Sequence, residues 1–161
     1  MKRVLISAVA LVALLAAPAV AEVTSAPVPA DGITPAEMVQ LLAQHQMAPK
    51  LGQGSDGQPI VNGRAAGVGF DVKFGECHGG RCRDVMFQAG WGNAKGDAQL
   101  TPERINRWNA ENNFLRAFVS SDNTLWAEMD ARIARGTTAN VEEYIVLWKE
   151  QLHRFRPFMG L

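Results

Sequence analysis

The chain of 161 residues is poor in the residues that most enzymes display. It has two cysteines, three histidines and a single tyrosine. His45, His78 and His153 are scattered and form no HExxH pair, so nothing supports zinc hydrolysis. There is no GxxxxGK phosphate loop and no GxGxxG turn entering a helix, since Gly67-Val68-Gly69 falls inside a strand pattern. No G-x-S-x-G elbow occurs. No carboxylate pair stands in an apolar setting that would raise a pKa for acid–base work. Neither sign of charge is in excess, with 16 Lys+Arg against 16 Asp+Glu. That balance excludes nucleic-acid binding by bulk electrostatics and leaves no polybasic membrane patch. These absences assign no catalytic residue, no metal ligand and no cofactor site, and they favour a protein that is not an enzyme.

What is present begins at the N-terminus. Lys2 and Arg3 precede an uncharged run from Val4 to Ala17, and Ala19-Val20-Ala21 follows Pro18. A positive start, an apolar stretch and a small-x-small site describe a signal peptide over residues 1–21, cleaved after Ala21. The run is shorter than the roughly 20 residues of a membrane span. No cysteine at the site suggests a lipid anchor, and no integral membrane segment is expected after cleavage. The expected location is periplasmic or secreted. Loss of Lys2 and Arg3 leaves 14 basic against 16 acidic residues, a formal charge of −2. Residues 22–33 contain two prolines, little hydrophobicity and no period, and read as a flexible leader. Residues 34–161 are long enough for one domain with its own core.

The stretch from Ala66 to Trp91 organises that domain. Gly79-Gly80 fits a two-residue hairpin turn, because glycine supplies the positive φ angles that such turns need. This places Cys77 opposite Cys82 and His78 opposite Arg81. Phe74 then faces Val85, Val72 faces Phe87, Phe70 faces Ala89 and Val68 faces Trp91. A slip of one residue would scatter these four apolar pairs between faces. Lys73 with Met86 and Asp71 with Gln88 lie on the other face, and Glu76 faces Arg83 as an ion pair. An exported chain meets oxidising conditions, so a Cys77–Cys82 disulfide is expected. A C-x-x-x-x-C pair on a hairpin lacks the helix N-terminus that stabilises a reactive thiolate, which favours a staple over a redox centre. Metal binding by Cys77, His78 and Cys82 lacks a second ligand pair.

Elsewhere, Thr34-Pro35-Ala36-Glu37 is a capping box that opens a helix with Met38, Leu41, Leu42 and His45 along one face, ending near Met47. Leu51 to Gly63 is turn-rich, with Pro59 to Asn62 as a short edge strand. It lacks the spaced carboxylates of a calcium loop. Thr101-Pro102 starts a second helix that carries Asn106, Asn109, Asn112 and Asn113. These amides either terminate the helix or form a candidate partner-binding surface. Phe114 to Val119 and Leu125 to Met129 form a second strand pair of open register, with Arg116 facing an acid such as Glu128 or Asp130. Val141, Tyr144, Ile145, Trp148, Leu152 and Phe155 make the stripe of a last helix that should stop by Arg156, before Pro157.

The chain resembles the YbjN-type domain family, a group associated with bacterial sensory transduction. The likeness rests on GVGFDVKFGECHGGRCRDVMFQAGW (67–91), LTPERINRWNAENNF (100–114), RAFVSSDNTLWAEMD (116–130) and the terminal helix through Trp148. It implies an α+β fold, an antiparallel sheet of about five strands with three helices in the order α-β-β-β-α-β-β-α, similar to the chaperones of type III secretion. Those chaperones bind segments of other proteins and often dimerise. The likeness therefore implies a chaperone-like regulatory module with a protein or peptide partner, and a homodimer among its assemblies. It supplies no catalytic residues. Two other readings stand beside it: a thiol-disulfide protein using Cys77 and Cys82, and a purely structural envelope protein.

Overall fold

The structure, a computed structural model, describes residues 25–92 and 100–161. The signal-peptide pattern lies outside the described residues. Three helices and six strands follow in order: α1 (Pro35–Gln44), β1 (Lys50–Gln53), β2 (Pro59–Ala65), β3 (Val68–His78), β4 (Arg81–Trp91), α2 (Pro102–Glu111), β5 (Arg116–Val119), β6 (Leu125–Arg132) and α3 (Thr138–Met159). All neighbouring strands are antiparallel, in the order β1-β2-β3-β4-β6-β5. The architecture is α+β, as the sequence indicates.

The stapled hairpin has the expected register between Asp71–Gln88 and the turn, while the expected Phe70–Ala89 and Val68–Trp91 pairs are not partners in the β3–β4 ladder. Val72 pairs with Phe87, Phe74 with Val85, Cys77 with Cys82 and His78 with Arg81. Gly79 and Gly80 both take positive φ. Alternation sends Phe70, Val72, Val85, Phe87 and Ala89 into the core, together with Leu125, Ala127, Met129 and Ala131 of β6. The helices cover this face with Met38 and Leu42 of α1, Ile105 and Trp108 of α2, and Ile145, Trp148, Leu152 and Phe155 of α3. Trp148 is the hub. Its ring lies 5.8 Å from Phe70 and 5.8 Å from Phe87, tying α3 to the two longest strands.

Four expectations need correction. Lys50–Gln53 forms a sixth strand, so Pro59–Ala65 is an interior strand and not an edge. Polar residues and glycines hid β1, which is a strand because β2 pairs with it. The first helix ends at Gln44, three residues early, because Gln46 and Ala48 turn back with positive φ. The last helix runs through Pro157 to Met159 and is closed by Gly160 in the left-handed conformation. The bond lost at Pro157 is offset by burial of Met159 and by the contact of the Phe158 ring with Trp108, 5.3 Å between centroids.

The fourth correction concerns the leader. Over its described part, residues 25–33, it is held to the domain. Ile33 donates to Cys82 O at 3.0 Å and Cys82 N donates to Ile33 O at 2.8 Å, filling the place beside β4 beyond the end of β6. Pro27 bridges to Thr137, and Val28 and Ile33 are buried.

Candidate functional site

The strand residues that alternate with the core set make up the other face of the sheet, over which none of the described helices lies. Across it run Asn62 of β2, Asp71 of β3, Gln88 of β4, Glu128 of β6 and Arg116 of β5, each opposite the next. Strong local pairing organises this row. Asn62 Nδ2 donates to Asp71 Oδ1 at 2.6 Å. The Arg116 guanidinium donates to Glu128 Oε2 at 2.7 Å and contacts Asp130 at 2.9 Å, which meets the sequence expectation for Arg116. Hydrogen bonding to Glu128, with the nearby Asp130 charge, raises the Arg116 pKa further above its ordinary value, against the opposing effect of burial. Glu76 departs from its expected partner. It takes positive φ and pairs with Arg132 at 3.2 Å, not with Arg83.

Beside these polar groups the open face carries large apolar side chains. Phe118 of β5 is 37 % exposed, and Phe114, just before that strand, is 57 % exposed. Trp126 of β6 faces Phe118 across the ladder and is half-buried. Its indole N–H donates to Ser120 Oγ at 3.1 Å, which fixes the ring. Next to Trp126 lies a groove of about 570 Å³ lined by Arg64, Gly69, Asp71, Gln88, Gly90 and Thr124, among others. This face therefore presents a fixed indole, exposed phenyl rings, paired charges and a trough between strands.

The four asparagines do not act together. Asn109 clasps the sheet edge. Its Nδ2 donates to Ala117 O at 2.9 Å, and its Oδ1 accepts from Ala117 N at 2.8 Å. One side chain thus takes the place of a missing neighbouring strand. Trp108 Nε1 adds a bond to Leu115 O at 2.8 Å. Asn112 caps the helix, donating to Trp108 O at 3.0 Å, with its Oδ1 buried and unbonded among the described residues. Asn106 and Asn113 are exposed. The amide-rich helix is therefore built largely for attachment, and the aromatics it helps to place, Phe114 and Phe118, are the groups left facing solvent.

Cys77 and Cys82 form a disulfide with Cα atoms 4.0 Å apart. Cys82 is 1 % exposed, so an external thiol must approach at Cys77. Arg81 beside the turn donates to Gly32 O at 2.7 Å and 2.9 Å and pairs with Glu37 at 3.1 Å. The stapled tip is an anchoring point for the leader and α1. Burial pushes the Glu37 carboxyl up, but hydrogen bonds from Thr34 and the Arg81 charge outweigh it, so the net shift is downward. Among the described residues no cluster of three or more His, Cys, Asp or Glu is placed to hold a metal ion, and no helix is long and apolar enough to cross a membrane.

Comparison with known proteins agrees with this architecture. The model of the YbjN family, described as "Putative bacterial sensory transduction regulator", matches residues 34–161. The crystal structure of YbjN from E. coli, described as "a putative transcription regulator", superposes with a TM-score of 0.55 at 14% sequence identity. The overlap covers 74% of this chain and 85% of that one. At that identity the likeness concerns the fold. No curated protein matches the chain in sequence.

Proposed function

The chain belongs to the YbjN family, and on that premise we propose that it is a non-enzymatic regulatory module that works outside the cytoplasm by holding a segment of a partner protein on the open face of its sheet. The observation that carries this reading is the unequal treatment of the two faces. Three helices bury one face, while the other keeps Phe118 and Trp126 beside a groove with fixed polar groups. Aromatic side chains held rigid on a surface are the usual anchors of protein recognition, because they add contact area at small entropic cost. The N-terminal signal pattern and the two cysteines support the compartment, and the absence of catalytic motifs from the sequence supports a binding role.

The test is retention of a partner by the purified mature chain from an envelope extract, compared with the Phe118→Ser variant. The reading expects wild type to retain a defined protein and the variant to lose it while its thermal midpoint is unchanged. Equal retention by both chains, or none above background by wild type, would remove the open face from the account.

A further inference from the structure

Cys82 commits both of its main-chain groups to the leader. Its N–H donates to Ile33 O at 2.8 Å, and its carbonyl accepts from Ile33 N at 3.0 Å. The two backbones lie so close that a Cβ at Gly32 would stand 1.7 Å from Cys82 O. Beside it, the Arg81 guanidinium donates to Gly32 O and pairs with Asp31 at 3.2 Å and with Glu37 at 3.1 Å. Glu37 in turn accepts from Thr34 N at 2.6 Å in the cap of α1. Arg81 and Cys82 thus hold the end of the leader and the start of α1 in one network. Both belong to the ring that the Cys77–Cys82 bond closes, with a sequence separation of 5. The other attachments of the leader are remote from that ring. Val28 N donates to Gly136 O at 2.9 Å, and Thr138 N donates to Ala26 O at 2.8 Å.

The ring is open to attack from one side. Cys77 is exposed, whereas Cys82 is 1 % exposed, so an incoming thiolate reaches Cys77 Sγ. Glu76, immediately before it, is held at φ 48° although it is not glycine. Its pair with Arg83 is missing from the ladder, which resumes at Cys77 and Cys82. Left-handed backbone at such a residue persists only where its surroundings impose it, and such positions cluster at switch regions. Here the surroundings are the closed ring and an exposed ion pair with Arg132.

We propose that the Cys77–Cys82 bond is a redox latch: closed, it makes the tip hold residues 31–33 and the cap of α1, and reduced by an external dithiol, it lets them go. The first thiolate of the dithiol attacks Cys77 Sγ and forms a mixed disulfide. The Cys77–Cys82 bond breaks, and its electron pair leaves on Cys82 Sγ, which takes up a proton. The second thiolate of the dithiol then displaces Cys77 Sγ, which is protonated in turn. The protein pair gains two electrons and two protons, and the dithiol becomes a disulfide. Without the ring, Glu76 relaxes to extended backbone, and Arg81 and Cys82 lose the fixed positions from which they grip the leader. The latch does not rest on the open-face reading.

The test is residue-by-residue amide hydrogen exchange on the mature chain when oxidised, after reduction by dithiothreitol without denaturant, and after reoxidation. Reduction is expected to speed exchange at Ile33 and Cys82 about tenfold, to leave Val72 and Thr138 unchanged, and to be reversed by reoxidation. Cys77→Ser, which keeps the buried Cys82 thiol, is expected to exchange as the reduced chain does. Gly32→Ala is expected to show fast exchange at Ile33 with the bond closed, since the added Cβ has no room against Cys82 O. Equal exchange at Ile33 in the oxidised and reduced chains would overturn the latch. The same acceleration at Val72 would also overturn it, because the bond would then support the whole fold. So would a bond that stays closed until the chain is denatured, or a change that reoxidation does not reverse.

Discussion

Val72, Phe87 and Met129 stand side by side on β3, β4 and β6, and all three are buried under the helices. One residue along the same strands stand Asp71, Gln88 and Glu128, on the face that no described helix covers. The first row is explained by what it packs against. Phe87 meets Trp148 and Phe70, and the one polar group beside it left without a bond among the described residues is the buried Trp148 indole N–H. The second row is explained only in part. Glu128 answers Arg116 and Asp71 answers Asn62, but the Gln88 amide makes no bond with a described residue and Phe118 is exposed. Where packing accounts for every side chain, a surface is structural. Where it leaves residues over, we propose that those residues answer to something outside the chain.

Perturbing the covered face should have the largest effect. Phe87→Ala removes a side chain with 0 % exposure from the centre of the aromatic cluster and should cost about 3–5 kcal/mol in chemical denaturation. A loss under about 1 kcal/mol would mean that the helix layer is not seated on β4 as described.

Asn109→Ala tests the boundary between the faces. It strips both backbone groups of Ala117 of their partner at the sheet edge and should cost about 1–3 kcal/mol. Hydrogen exchange should show faster opening at Ala117 than at Met129, because the edge strand loses its clasp while the central strand keeps its neighbours. Unchanged stability, with loss of partner binding alone, would return Asn109 to the recognition surface.

A smaller effect follows from acid. Glu37 has its pKa lowered from 4.5 in the folded chain. A depressed folded pKa contributes stability above the unfolded value and loses it as pH falls through the folded value. Wild type should therefore exceed Glu37→Gln in stability near neutral pH, and the gap should close as the pH drops below 4.5. The carboxylate is 43% exposed, so solvent screening keeps the gap small. A gap that widened toward acid would contradict the Thr34–Glu37–Arg81 arrangement.

Legibility in the sequence followed the range of the interactions. The hairpin register could be read because Gly79-Gly80 and strict alternation act within 25 residues. The starts of α1 and α2 could be read because Thr34 and Thr101 cap within one turn. Strand β1 could not, since Lys50 to Gln53 has one large apolar residue and is a strand only by virtue of β2. The continuation of α3 through Pro157 depends on the core that receives Met159. Asn109 looked like a surface amide because its target, Ala117, lies on a strand whose register the sequence left open. The groove on the open face could not be read for the same reason. Gly69, Gln88 and Trp126 are neighbours only after three strands are placed.

The central claim is that the open face, and not the amide-rich helix, meets the partner. A photo-crosslinking amino acid placed at Phe118 and, separately, at Asn106 tests it most directly in living cells, because both positions are exposed and neither holds the fold together. The account predicts a discrete crosslinked product from position 118 and none from position 106. A product from 106 with none from 118 would contradict it.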